Sequence, residues 1–222
     1  MSYTPKTSLL LAIVFAATGA CHVASPTSAD VVFNNFGPGD TYGSTDAYGL
    51  SGPQSFFGEI DAAMSFTPTG GDFLFDRADI AFLGLNQPNG VDILLAQDSG
   101  LNTPGDILET ISLQDILTDP PMFTTVLTAN SKRHSLLTAG HQYWLIANGV
   151  GDNFSGWVSS DTDSIGLGAY RENLGDWQTA TETLRAFRII GTAVPEPGAL
   201  SLLVGASVCW QVLIVRRRRG CR

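Results

Sequence analysis

The sequence predicts an all-β fold, a two-sheet β-sandwich or jelly-roll-like domain, carried between an N-terminal signal peptide and a single C-terminal transmembrane helix. Three observations lead there. Turn-forming clusters recur at short intervals through the middle of the chain. The runs between them alternate apolar and polar residues with a period of two. Only the two ends carry long uncharged apolar stretches. Composition agrees: 222 residues with 24 Gly, 11 Pro and 15% charged residues fit one domain plus accessories, and neither a coiled coil nor a highly charged disordered chain.

The N-terminal segment, 1–29, has the parts of a secretory signal. Lys6 is followed by the apolar run Leu9 to Ala17 and then by small residues. That run is too short to span a bilayer. Cleavage after Ala20 or after Ala29 fits a small-x-small site. The second leaves Asp30-Val31-Val32-Phe33 as the start of a first strand. The implied partners are the Sec translocon and signal peptidase. Cys21 stands where a lipoprotein would carry its acylated cysteine, but Thr18 replaces the bulky aliphatic residue such a site needs.

The body, 30–193, is punctuated at Gly37-Pro38-Gly39-Asp40, at 67–72, at 86–90, at Asp98-Ser99-Gly100 and at Asp119-Pro120-Pro121. Ile60, Ala62, Met64 and Phe66 share one face of a strand, with Asp61, Ala63 and Ser65 on the other. Ala78, Ile80 and Phe82 repeat the pattern, and Phe123, Thr125 and Leu127 do so less cleanly. Val91-Asp92-Ile93-Leu94-Leu95 and Tyr143 to Ala147 are more continuously apolar, as central strands of a sandwich are. Eight to ten strands are expected, with a short helical turn near Ser112 to Leu117. The stretch from Asp30 to Val194 holds 20 acids and 6 bases, net −14, and no cysteine. It has no thiol chemistry and no internal disulfide. Its acidity excludes a nucleic-acid binder, because duplex affinity rests on Lys and Arg neutralising phosphates.

The C-terminal segment, 194–219, has three parts in order. Pro195-Glu196-Pro197 precedes the 18 uncharged residues Gly198 to Val215, and Arg216, Arg217, Arg218 and Arg219 follow. As a helix the 198–215 stretch is about 27 Å long, close to a hydrocarbon core of about 30 Å. Proline is tolerated in a first helical turn, so Pro195 and Pro197 mark its start. The four arginines, each costing roughly 2.5 to 3.5 kcal/mol at mid-membrane, stop and orient the helix with the acidic body outside. Motif, apolar stretch and arginine cluster together resemble the PEP-CTERM sorting signal of bacteria. The resemblance implies export, recognition of Pro195, Glu196 and Pro197 by an exosortase, and cleavage near the motif with transfer to the cell surface or extracellular matrix. Gly198 stands where Ser or Thr is common in that signal.

The body in turn resembles the type R choice-of-anchor domain. The residues that carry the resemblance are 34–40, Phe66-Thr67-Pro68, 104–109, 137–145, Trp157, Trp177 and Ala186-Phe187-Arg188-Ile189. It implies a β-sandwich with no assigned activity and no catalytic residues.

Catalytic patterns are sparse. Neither His134 nor His141 sits in a Ser-His-Asp arrangement, and no Gly-x-Ser-x-Gly elbow, His-Glu-x-x-His helix, phosphate loop or dinucleotide fingerprint occurs. The carboxylate pairs Glu59 with Asp61 and Asp76 with Asp79 are expected on solvated strand faces or turns. Asp161 and Asp163, with Asp152-Asn153 nearby in sequence, offer hard oxygens for calcium, although Asx turns account for the same residues. Trp144 is expected in the core. Trp157 and Trp177, flanked by glycines, are the candidates for an exposed sugar-stacking face. The expected function is therefore an exported, non-enzymatic surface or matrix protein without an obligate cofactor. A carbohydrate-binding module that engages exopolysaccharide is the second expectation, and a surface hydrolase the third.

Overall fold

A computed structural model describes residues 29–43, 46–85, 90–114 and 123–195. Residues 1–28, expected to belong to a signal segment, and Glu196, Pro197, the 198–215 stretch and Arg216 to Arg219 lie outside the described residues. Among the described residues the regular structure is entirely β, and no helix is long and apolar enough to cross a membrane.

The strands are β1 (Ala29–Asn34), β2 (Ala47–Ser51), β3 (Ile60–Phe66), β4 (Phe73–Gly84), β5 (Gly90–Asp98), β6 (Pro104–Gln114) and β7 (Phe123–Asn130). They continue with β8 (Leu136–Leu137), β9 (Tyr143–Gly149), β10 (Phe154–Val158), β11 (Ile165–Glu172), β12 (Gln178–Thr183) and β13 (Phe187–Ala193). The thirteen strands among the described residues exceed the eight to ten expected, because short pieces such as β8 and β10 carry too few residues to show a period. Ser112 to Gln114, expected to open a helical turn, instead complete β6 opposite Gly90 to Asp92. An eleven-residue ladder outweighs weak local helix preference there.

Every pairing is antiparallel. Along the sheet the order is β1-β13-β4-β10-β2-β3-β9-β5-β6, with β11 and β12 branching from β3, and β7 and β8 from β4. The twelve-residue β4 anchors one layer. Its one edge takes β13 and then β10, and its other edge takes β8 and β7. The second layer runs β6-β5-β9-β3-β11-β12. The β10–β2 ribbon joins the two layers, so the sheet curls on itself in a sandwich-like arrangement.

The curl follows from the alternation. Ala62, Met64 and Phe66 of β3 meet Phe75, Ile80 and Phe82 of β4, Tyr143, Leu145 and Ala147 of β9, and Phe187 and Ile189 of β13 in one core. A period-two strand can bury such a set only against a second apolar face. Aromatic rings fill the centre: Phe187 lies 4.6 Å from Phe33, 5.8 Å from Trp157 and 6.2 Å from Phe66.

The outer faces are not simply solvated. Ala63, Ala96, Trp144, Ile146 and Ala169 form a second cluster, joined by Leu94, Leu167 and Trp177, on the far side of β3, β5, β9 and β11. This corrects the expectation for two carboxylates. Asp61 is wholly buried and Asp79 nearly so, because the sheet faces that carry them are themselves covered. Trp144 is fully buried, as expected.

A polar seam closes the first layer. The β1–β13 ladder ends at Asn34 opposite Arg188. The Asn35 side chain then continues it, donating to the Arg185 carbonyl at 2.9 Å and accepting the Phe187 N–H at 2.7 Å. Arg185 reaches Asp46 at 3.0 Å and Ser159, and its guanidinium lies over the Tyr48 ring. Hydrogen bonding from Ser159 is the main cause that holds the Asp46 carboxyl below its ordinary range; partial burial opposes it and Arg185 adds to it.

Candidate functional site

Both ends of the described β body are secured at one pole. Strand β1 begins with Ala29 opposite Thr192. β13 ends with Ala193 opposite Phe73, and the Val194 N–H donates to the Asp72 carbonyl at 2.8 Å. Pro195 follows and is exposed. A proline here has no N–H to extend the ladder.

The same pole carries a cleft of about 510 Å³ lined by Gln97, Asp98, Gly100, Thr138, Gly140, His141, Gln142 and Tyr143. Register sets its walls, since Gln97 of β5 faces Tyr143 of β9. Gly140 turns the second wall at φ +76°, a conformation glycine adopts without strain, and donates its N–H to the Pro68 carbonyl. Asp98 is the one carboxylate in this lining, and it is saturated. Its Oδ1 accepts Gln142 Nε2 at 3.0 Å and Trp144 Nε1 at 2.9 Å, and its Oδ2 accepts the Gly100 N–H at 2.7 Å. Tyr143 Oη accepts the Thr138 N–H. His141 Nδ1 lies 3.4 Å from the Ala139 carbonyl oxygen. The cleft thus offers amides, a hydroxyl and an imidazole, with its acid already committed to shaping the wall.

The tryptophan candidates separate. Trp157 is wholly buried in β10, edge-on to Phe187, with its Nε1 donating to the Ala186 carbonyl at 3.0 Å. It offers no face to a sugar, which corrects the sequence expectation. Gly156 marks a close approach of strands, not a loop: a Cβ there would meet the Ala47 side chain at 2.9 Å. Trp177 is half-buried, and the Arg171 guanidinium lies 4.6 Å from its ring centroid. The two are not brought together into one platform.

The acidic candidates separate as well. Asp161 and Asp163 are both exposed, on a turn in which Asp163 has φ +52°. That turn is tied by hydroxyls: Ser160 donates to the Asn35 carbonyl at 2.5 Å, and Thr162 and Ser164 Oγ atoms lie 2.7 Å apart. Among the described residues no group of three or more His, Cys, Asp or Glu is gathered as a metal centre. Asn153 is buried and donates to Ser155.

Of the remaining carboxylate candidates, Asp61, Asp76 and Asp79 are engaged in pairs, and Glu59 is half-buried just before β3. Asp79 takes Arg188 Nε at 3.0 Å and Nη2 at 2.9 Å, plus the Thr128 hydroxyl. Asp76 lies 3.1 Å from His134 Nδ1 and accepts the Thr192 hydroxyl. Asp61 accepts Arg171 Nε at 2.7 Å, and burial, stronger here than Arg171, pushes its carboxyl up. None of these contacts joins residues close in sequence, so composition alone gives no sign of them.

Compared with known proteins, no family model and no curated protein matches the chain.

Proposed function

We propose that this chain is an exported, non-enzymatic surface or extracellular-matrix protein whose C-terminal segment is a sorting signal for an exosortase. The observation that carries the reading is the junction at the terminal pole. Among the described residues the last backbone hydrogen bond to the body is made by Val194, and Pro195 is exposed immediately after it. A protease that recognises Pro195-Glu196-Pro197 would meet an exposed Pro195, and cleavage after the motif would leave β13 and the core untouched. The arginine cluster and the 198–215 apolar stretch hold the motif at a membrane face under this reading. The net −14 body suits a hydrated exterior. Its sandwich-like architecture is in keeping with a choice-of-anchor domain. The non-enzymatic reading is supported by the pairing of Asp61, Asp76, Asp79 and Asp98 with donors in the body, where a hydrolase would present converging free carboxylates.

Mass spectrometry of the protein isolated from its native host tests the reading. A mature form that starts near Asp30 and ends close to Pro197, shortened or joined to an acceptor, is the expected result. Persistence of the intact chain through Arg222 in the surface fraction refutes processing.

The polar cleft favours a second reading, a carbohydrate-binding module. Its amide and hydroxyl lining is the donor and acceptor set that sugar hydroxyls use. A glycan array with wild type and Gln142→Ala checks it, and signals equal to background for both remove it.

A further inference from the structure

Strand register lays a polar row across the outer face of the second layer. Arg171 of β11 stands opposite Asp61 of β3, Asp61 opposite Asn148 of β9, and Asn148 opposite Asp92 of β5. Directly opposed residues place their Cβ atoms about 5 Å apart on the same side of a sheet. The flanking Ala62, Ala147 and Ile93 point the other way, into the main core. Asn148 is therefore set between two carboxylates.

Three oxygens in this row are buried without a hydrogen-bond partner: Asp61 Oδ1, Asn148 Oδ1 and Asp92 Oδ1. The Asp61 side chain is fully buried. Its other oxygen, Oδ2, is taken by Arg171, whose guanidinium is held over the Trp177 ring. That ion pair occupies the β11 side and leaves Oδ1 free on the other. Native proteins rarely bury acceptors without a donor, and here three such acceptors lie in one cross-strand row on three adjacent strands.

We propose that Asp61, Asn148 and Asp92 form a cation site that binds calcium through these oxygens. Calcium takes six to eight oxygen ligands in flexible geometry, drawn from carboxylates, amide carbonyls and water. Two carboxylates and one amide oxygen supply a partial shell, and water completes it. Asp92 and Asn148 are only half-buried, so the ion enters from their side. With three protein ligands the site belongs in the weak range of extracellular modules, Kd about 10⁻⁴ to 10⁻³ M. It is separate from Asp161 and Asp163.

The test uses the full chain in mild detergent, with terbium luminescence excited through tryptophan and displaced by calcium, and with calcium titration calorimetry. Trp177, stacked on Arg171, supplies the sensitiser. Wild type is expected to show saturable luminescence that calcium displaces at submillimolar to millimolar concentration. Asp92→Asn weakens calcium binding by about tenfold or more, a loss of the size that removing a metal-site partner produces. Asn148→Asp tightens it, because ligand charge sets affinity. Asp163→Asn leaves it unchanged. Absence of calcium binding by wild type overturns the proposal, and in that event the Asn148 amide, turned with its Nδ2 between the carboxylates, fills the row. Binding that survives Asp92→Asn unchanged, or that Asp163→Asn abolishes, overturns it equally.

Discussion

Replacing Trp157 with alanine separates a core tryptophan from a ligand-stacking one. The indole is fully buried, edge-on to Phe187 at 5.8 Å and 72°. A buried aromatic side chain withdraws about 150–250 Å² from water, worth about 4–6 kcal/mol at 25 cal/mol per Å². Alanine retains a small part of that, and core Trp→Ala changes cost about 3–5 kcal/mol. The lost Nε1 hydrogen bond adds little here, because the Ala186 carbonyl also accepts the Ala81 N–H at 3.0 Å and is not orphaned. The expected loss is therefore about 3–5 kcal/mol, a large share of a typical domain's 5–15. Urea unfolding followed by circular dichroism reads it as a lower midpoint at an unchanged slope. Trp177→Ala is the control. It removes a half-buried ring and one cation–π contact, and is expected to cost about 1 kcal/mol. A Trp157→Ala loss below about 1.5 kcal/mol, or one no larger than that of Trp177→Ala, would refute the placement of Trp157 in the core.

Three further outcomes are expected. Arg188→Met strips the nearly buried Asp79 of the guanidinium that donates twice to its Oδ2, and unfolding should show a loss of about 3 kcal/mol that Asp79→Asn in the same chain largely restores. Glu109→Gln should matter at neutral pH and fade in acid. Burial raises the Glu109 carboxyl, but the Ser131 hydroxyl, the Lys132 and Arg133 N–H groups and the Arg133 charge outweigh it and hold it below its ordinary 4.5. A depressed folded value stabilises above the unfolded one and is lost as pH falls through the folded one. Wild-type and variant melting temperatures should thus converge on acidification, and a constant gap would contradict this. Gly149→Ala places a Cβ 2.7 Å from the Gly52 nitrogen and from the Ser51 carbonyl carbon, so the backbones must part. A cost of about 1–3 kcal/mol is expected, whereas Gly49→Ala, which meets nothing within 4 Å, should be near neutral in the same melts.

The inner faces of the strands were legible because burial leaves a period-two imprint. Ala62, Met64 and Phe66, and Ala78, Ile80 and Phe82, lie in the main core as their spacing predicts. The largely apolar runs in β5 and β9 foretold central strands, and Trp144 and Ile146 of β9 realise burial of the second face in the outer cluster. Asp61 was misplaced for a related reason. Alternation reports which residues share a face and says nothing of whether another segment covers the polar one. Trp157 was misplaced because glycine signals a loop more often than a close strand contact. The ion pairs of Asp61 with Arg171 and of Asp79 with Arg188 span 110 and 109 residues, and only the completed topology brings such partners together. The cleft and the Asp61–Asn148–Asp92 row share that origin, since each is made by register between strands far apart in the chain.

Strand β13 has a consequence for the order of assembly. It lies between β1 and β4, so the first strand of the body has no neighbour until the last one is delivered. Phe187 and Ile189 close the centre of the core at the same moment. A nascent body lacking residues beyond about 186 would display a raw β1, an unfilled flank on β4 and an unroofed Trp157. Such long-range closure is slow and exposes sticky intermediates. Completion therefore waits until the polypeptide has emerged as far as Val194, whose N–H closes on the Asp72 carbonyl.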